Sequence, residues 1–149
     1  MSSEAAAAAL QAAVGLLAHR EHSAAELRRK LGANGHGSAA IDAALAELAE
    51  QGLQSDARFA EAYARARFER GYGPLSIRAG LRERGVSETL ASAILATFDE
   101  LWMTRLAELA GRRFGNAPAA DVRERARRSR FLQQRGYTPA QVARLLHEP

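Results

Sequence analysis

The feature that most restricts the fold of this chain is an internal repeat with a period of about fifty residues. Three segments align, and each has a leucine with a glycine four residues after it: Leu31 and Gly35, Leu81 and Gly85, Leu132 and Gly136. A glycine just past the end of a helix supplies the left-handed backbone that ends it. Each segment therefore predicts a helix, a tight turn and a second helix, and the repetition indicates an array of similar units.

Capping residues mark the starts of these helices. Hydroxyl side chains that can cap the second helix of each pair follow the three glycines: Ser38, Ser87 and Thr138. Ser23 and Glu26 have the spacing of a capping box before the first pair, and Pro74 takes the first helical position of the second pair. Asp121 marks the start of the third pair less distinctly. These signals support two helices in every repeat.

A single longer helix is predicted before each pair: residues 4–19, 56–70 and 99–114. The sequence contains no alternating run of β-branched residues of the kind that predicts a strand. We therefore predict an all-α fold of about nine helices in three tandem three-helix repeats, with these boundaries: residues 1–52, 53–98 and 99–149. Because a three-helix unit of this size buries little surface by itself, we expect the repeats to pack against one another in an elongated, curved array.

The sequence offers little chemistry for an active site. It contains no cysteine, which excludes disulfides, thiolate metal sites and cysteine nucleophiles and is typical of a reducing compartment. The four histidines show no metal-ligand spacing, and His19 and His22 at a helix end are typical of a solvated surface. The apolar stretch at residues 5–18 is interrupted by Gln11 and is too short to span a membrane. We expect a cytoplasmic protein that is not an enzyme and holds no metal.

Positive charge accumulates toward the C-terminus. Residues 1–50 carry four basic and six acidic residues, whereas residues 101–149 carry ten basic and four acidic ones. Within the last third, the segment at residues 121–135 places six arginines on one predicted helix. Guanidinium groups so close together repel one another unless an anion neutralises them. The segment favours an electropositive binding face, although a solvated surface also fits, and arginine binds phosphate and carboxylate equally well.

The predicted helix at residues 56–70 carries a second group of arginines. Glu61 and Arg65 lie four residues apart and are typical of an ion pair on a solvated face. Arg67 and Arg70 have no acidic residue four positions earlier. We therefore expect these two side chains to be available to a phosphate or to a carboxylate of a partner.

Many of these residues together resemble the RecX family of regulatory proteins. The central part of the resemblance is Ser55-Asp56-Ala57-Arg58-Phe59-Ala60, followed by Arg65, Arg67, Gly71, Gly73-Pro74, Ile77, Leu81 and Arg84-Gly85-Val86. The opening segment at residues 16–31 and the closing residues also fit the family: Phe131-Leu132, Arg135-Gly136-Tyr137 and Val142. The resemblance covers nearly the whole chain.

The resemblance implies an all-helical protein of three three-helix repeats that acts without catalysis or a cofactor. Members of the family bind the RecA recombinase, chiefly its nucleoprotein filament, and inhibit strand exchange, ATPase and coprotease activities. The implied role is regulation of DNA repair, recombination and the SOS response by a monomer, with direct contact to single- or double-stranded DNA left open. On this basis we predict these contact groups: Arg65, Arg67, Arg70, Arg123, Arg127 and Arg135.

The alternative is a helix-turn-helix protein that binds DNA by itself. The second helix pair, residues 77–98, has the required helix–glycine–helix form. Its second helix, however, has no arginine, lysine, asparagine or glutamine with which to contact base edges. The sequence therefore favours the regulatory protein.

One position departs from the repeat. Leu27 and Ile77 lie four residues before their leucines, whereas the third repeat has Arg128 there. An apolar core position has become a charge, so either Arg128 extends toward solvent or its helix packs in a different register.

Overall fold

The structure is a computed structural model that describes residues 3–147, and within that range it contains nine α-helices and no strand. The helices are α1 Ser3–Leu17, α2 Ala24–Ala33, α3 Ser38–Glu50, α4 Asp56–Glu69, α5 Pro74–Glu83, α6 Glu88–Ala96, α7 Trp102–Phe114, α8 Val122–Gln134 and α9 Pro139–His147. The predicted all-α fold is confirmed. Helix α7 begins at Trp102 instead of residue 99, because residues 97–101 form turns.

The three repeated glycines end α2, α5 and α8 in the same way. Their φ angles are +90°, +80° and +99° at Gly35, Gly85 and Gly136. In each case the N–H of the residue after the glycine donates to the carbonyl of the repeated leucine, at 3.0, 3.0 and 3.4 Å. This is the hydrogen bond of a Schellman motif. The repeat is therefore present in the backbone geometry as well as in the sequence.

Two of the three predicted hydroxyl caps are confirmed and one is wrong. Ser87 caps α6, and Thr138 forms a reciprocal capping box with Gln141 at the start of α9. In the first repeat, α3 begins at Ser38 itself and its N-cap is Gly37, which has no side chain to accept a hydrogen bond. Gly37 lies two residues after the turn glycine, as Ser87 and Thr138 do, so the aligned cap position is Gly37.

The starts of α2, α5 and α8, the first helices of the three pairs, agree with the sequence. Ser23 and Glu26 form both hydrogen bonds of the predicted capping box on α2. Pro74 is the first residue of α5, and the side chain of Asp121 accepts the N–H of Glu124 at the start of α8. Local capping chemistry therefore decides where these helices begin.

The chain divides into two compact units, the first formed by the chain up to Ala62 together with Leu81–Leu90. Small side chains bring α1 close to α3, since Ala9, Ala40 and Ala44 are all buried in one cluster. The main core cluster of this unit is apolar: Ala13, Leu27, Leu31, Ile41, Leu45 and Leu48. Leu27 and Leu31 of α2, like Ile41, Leu45 and Leu48 of α3, recur three or four residues apart, so each helix buries one face in this core.

The second unit is formed by Tyr63–Gly80 together with the chain from Ala91 onward. Aromatic rings concentrate here: Phe68, Phe98 and Trp102 lie with their ring centroids 5.1 to 5.5 Å apart. Tyr137 is fully buried and makes an edge contact with Trp102 at 6.5 Å. Tilted and edge-on pairs of this kind stabilise a core beyond the area they bury.

Candidate functional site

All six arginines predicted as contact groups lie in the second unit, and α8 carries two of them. The Nε and Nη2 atoms of Arg127 donate to the two carboxylate oxygens of Glu124 at 2.8 and 2.7 Å. Arg128 Nε donates to the same carboxylate at 3.1 Å. The hydrogen bonds from Arg127 and then Arg128 lower the pKa of Glu124 to about 2. Arg127 is therefore held in an internal ion pair, although 55% of its side chain is exposed.

Arg128, the residue that departs from the apolar repeat, is inside the unit. Its side chain is only 13% exposed, its Nη1 donates to the carbonyl of Ala117 at 3.0 Å, and its guanidinium lies 5.2 Å from the ring centre of Phe114. The leucine four residues later, Leu132, is fully buried. Both sequence interpretations of Arg128 are therefore wrong: the side chain does not extend to solvent, and the helix keeps its register.

Three other arginines of α8 keep their guanidinium groups unpaired within residues 3–147. Arg123 and Arg130 are exposed and Arg125 is half-buried, and none of them forms an ion pair or side-chain hydrogen bond in the described part of the chain. The cations of α8 are thus neutralised only in part, by Glu124. An unneutralised group of this kind attracts phosphates and carboxylates.

The end of α4 brings two predicted residues together that are far apart in the sequence. The guanidinium carbons of Arg67 and Arg135 lie 3.8 and 4.1 Å from the ring centre of Tyr72. Arg135 Nη2 also donates to the carbonyl of Arg70 at 2.5 Å. The Nε atoms of both arginines are buried without a partner among the described residues. Cation–π contacts with one tyrosine therefore hold both side chains in place.

Arg105 was missed by sequence reasoning. Its Nε and Nη2 donate to the carbonyls of Phe68 and Glu69 at 3.1 and 2.5 Å, and its Nη1 donates to Glu108 at 3.2 Å. Arg105 and Arg135 together donate to three successive carbonyls at the end of α4, those of residues 68, 69 and 70. Cations are favourable at a helix C-terminus. No sequence signal announces this role, because the partners lie more than thirty residues apart.

Arg65 and Arg70 remain accessible. Arg65 is exposed, and its guanidinium lies 5.6 Å from the ring centre of Phe98. The predicted ion pair between Glu61 and Arg65 is not formed. The side chain of Arg70 is exposed and has no partner in residues 3–147. Of the three arginines predicted as contact groups in residues 56–70, Arg67 is therefore held by internal contacts, whereas Arg65 and Arg70 are exposed.

His22 also differs from the prediction, because it is buried instead of solvated. Its Nδ1 lies 3.0 Å from the carbonyl oxygen of Arg20 and its Nε2 lies 3.0 Å from the Nζ of Lys30. Burial lowers the pKa of His22, so the ring is neutral and accepts a hydrogen bond from the lysine. Within the described residues, no three acidic or histidine side chains converge as a metal site would require. In the same range, no helix has the length and apolar character needed to cross a membrane.

Comparison with known proteins gives a consistent result. Three family models match the chain: the first three-helix domain of RecX over residues 9–48, the second over residues 55–95 and the third over residues 99–146. A protein named regulatory protein RecX from Halorhodospira halophila is 43% identical over 88% of this chain and 81% of its own length. The protein of the same name from Chromohalobacter salexigens is 45% identical over 87% of this chain and 85% of its own length.

Two solved structures are similar in fold. The crystal structure of RecX from Lactobacillus salivarius has a TM-score of 0.83 at 19% identity, covering 97% of this chain and 96% of that one. A crystal structure of a regulatory protein RecX has a TM-score of 0.80 at 23% identity, covering 95% of this chain and 71% of that one. At these identities the likeness concerns the helical fold alone.

Proposed function

Because the chain belongs to the RecX family of regulatory proteins, we propose that it binds the RecA recombinase and its nucleoprotein filament and inhibits strand exchange, ATPase and coprotease activities. The observation that carries the proposal is the match of all three family domains. It is supported by relatives 43% and 45% identical that are named regulatory proteins. Regulation of this kind needs a binding surface and no catalytic group. We place the protein in the cytoplasm as a monomer.

The unpaired arginines give this proposal a physical basis. A nucleoprotein filament presents phosphates and carboxylates, and exposed guanidinium groups are attracted to both. Of the six predicted contact groups, Arg65, Arg70 and Arg123 are exposed and form neither an ion pair nor a side-chain hydrogen bond within residues 3–147. We therefore assign the main electrostatic contact to these three. The other three are weaker members, because internal groups already engage them: Arg67, Arg127 and Arg135.

The test is ATP hydrolysis by the recombinase on single-stranded DNA, with this protein titrated against it. Arg123→Glu should raise the half-inhibitory concentration about tenfold, because a repulsive carboxylate replaces an attractive cation. The matched control is Arg29→Glu, which makes the same charge change at an exposed arginine of α2 without a side-chain partner in the described chain. We expect the control to inhibit like the wild-type protein.

Absence of inhibition by the wild-type protein would overturn the proposed function. Duplex DNA binding without recombinase, with a steep salt dependence, would favour the stand-alone DNA-binding protein instead. Equal inhibition by the two charge-reversal variants would remove Arg123 from the contact surface and leave the function intact. Inhibition far below the recombinase concentration would indicate blocking of the filament end, and stoichiometric inhibition would indicate occupation along the filament.

A further inference from the structure

Two of the three repeated glycine turns, those at Gly35, Gly85 and Gly136, dock onto the start of another helix, and the first such contact lies in the first unit. There the Gly85 turn (residues 82–87) packs on the start of α2. The hydroxyl of Ser23, the N-cap of α2, donates to the carbonyl of Arg84 at 2.6 Å. A Cβ atom placed on Gly85 would lie 2.4 Å from the Cβ of Ala25, which is closer than such atoms can approach. Gly85 is therefore required for this contact as well as for its backbone conformation.

The second contact repeats this arrangement in the second unit. The Gly136 turn (residues 133–138) packs on the start of α5. The N–H of Gly73 donates to the carbonyl of Arg135 at 2.8 Å, and the N–H of Leu75 donates to the carbonyl of Gly136 at 2.9 Å. A Cβ atom on Gly136 would lie 2.4 Å from the Cβ of Ser76. The same backbone element thus receives a helix start in both units.

In both contacts the carbonyl of the residue before the glycine accepts a proton from the residue that precedes the helix, a hydroxyl proton in the first and a backbone N–H in the second. The first turn of a helix has N–H groups without intrahelical acceptors, and its N-cap residue contributes a further donor. The carbonyls of the Gly136 turn accept two such N–H groups, whereas the carbonyl of Arg84 accepts the hydroxyl of Ser23. Glycine on one side and alanine or serine on the other let the two backbones approach. A partner for such a turn is therefore a helix start with small residues and a serine, threonine or glycine cap.

The Gly35 turn (residues 32–37) has the same backbone and lacks such a partner in the described chain. Gly35 has a φ of +90° and the same Schellman hydrogen bond, yet a Cβ atom placed on it would meet nothing within 4 Å. The carbonyls of Asn34 and Gly35 accept no hydrogen bond from residues 3–147. The neighbouring residues are small or short and exposed: Gly32, Ala33, Asn34, Gly37, Ser38 and Ala39.

We propose that the Gly35 turn is a docking site for the start of a helix on the recombinase, one that has a serine, threonine or glycine cap and small residues in its first turn. The proposal rests on the proposed function for the identity of the partner. The kind of helix start that would fit the turn is inferred from the contacts that the Gly85 and Gly136 turns make within this chain. The donors of the partner helix would pair with the carbonyls of Asn34 and Gly35, as Ser23 pairs with Arg84 and Gly73 with Arg135.

A second copy of this chain fits the turn less well. In the third repeat, the helix that corresponds to α2 and α5 is α8, and its cap is Asp121. The carboxylate of Asp121 is an acceptor and already accepts the N–H of Glu124 at 2.8 Å. The residues that meet the turn glycines in the two internal contacts are Ala25 and Ser76, whereas the first turn of α8 has Arg123 and Glu124, whose side chains are too large for the same close approach. The recombinase is therefore the better occupant.

The experiment compares Gly35→Asn with Gly52→Asn in the full chain. Gly52 has a φ of +71° and open space around its Cβ position, so the control adds the same side chain at a similarly strained position. Asparagine tolerates this backbone region better than other residues, and both variants should lose a similar amount of thermal stability. Binding of labelled protein to recombinase filaments on single-stranded DNA should weaken about tenfold for Gly35→Asn and less than about twofold for Gly52→Asn.

The outcomes separate the two proposals. Failure of the wild-type protein to bind would overturn the proposed function, whereas wild-type binding with equal affinities for both variants would overturn the docking site alone. Sedimentation that shows self-association of the wild-type protein and its loss in Gly35→Asn would assign the turn to a second copy and overturn the recombinase as occupant. If Gly35→Asn unfolds at a much lower temperature than its control, binding is compared at a temperature at which circular dichroism shows both variants to be folded.

Discussion

The end of α4 and the exposed surface of α8 contain the same residue type in opposite roles. At the end of α4, Arg105 and Arg135 donate to backbone carbonyls, so their positive charges serve the fold. On α8, Arg123 and Arg130 are exposed and have no partner within residues 3–147. The number of arginines in the sequence is therefore larger than the number of positive charges available to a partner. Only the guanidinium groups without internal acceptors are available to an external anion.

The strongest test of this comparison is Arg105→Ala. We expect a loss of about 2 kcal/mol in the free energy of unfolding, because the carbonyl of Glu69 would lose its donor and the ion pair with Glu108 would be lost, while the carbonyl of Phe68 would keep the N–H of Gly71. Urea unfolding followed by the fluorescence of Trp102, the single tryptophan and a buried one, measures the loss. Arg130→Ala on the exposed surface of α8 is the matched control and should change stability by less than about 0.5 kcal/mol. Equal losses of stability in the two variants would show that Arg105 contributes no more to the fold than an exposed arginine of α8.

A smaller effect is expected at Arg128, whose largely covered side chain lies against the ring of Phe114. Arg128→Met keeps a long side chain against Phe114 but removes the hydrogen bonds to Glu124 and to the carbonyl of Ala117. We expect a loss of about 1 kcal/mol in the same urea experiment, since Glu124 retains Arg127 as a partner. A variant as stable as the wild-type protein would show that the charge at this position contributes nothing to the fold.

The smallest effect concerns pH. The hydrogen bonds from Arg127 and Arg128 hold the pKa of Glu124 at about 2, below its ordinary value of 4.5. The carboxylate therefore stabilises the fold above pH 4.5, and this contribution is lost as the pH falls toward 2. The melting temperature of Glu124→Gln should be lower than that of the wild-type protein at pH 6, and the two should converge at low pH. A difference that is constant between pH 6 and pH 2.5 would contradict this ion pair.

Most of the secondary structure could be predicted because its signals are local. The glycine turns, the capping box at Ser23 and the proline that opens α5 act within a few residues of their positions. The error at Ser38 was a shift of one position, since Gly37 holds the place of the cap. Local chemistry of this kind is visible in a single sequence.

The candidate site could be predicted only in part. Arg70 has no side-chain partner in the described chain, as the absence of an acidic residue four positions earlier predicts, whereas Arg127 and Arg135 are engaged by internal groups. His22 was wrong for the same reason, because its burial and its contact with Lys30 arise from packing. None of these contacts follows from helical periodicity alone.

The helices, their repeated turns and the family can be predicted from short stretches of sequence, because each depends on residue types at fixed short spacings. Packing of the helices determines which arginines are engaged and which of the three repeated glycine turns has no helix start against it in the described chain. The physical reason is distance along the chain: Arg135 meets the carbonyl of Arg70 across sixty-five residues, and Ser23 meets that of Arg84 across sixty-one. Hydrogen bonds over such separations exist only after the helices have packed.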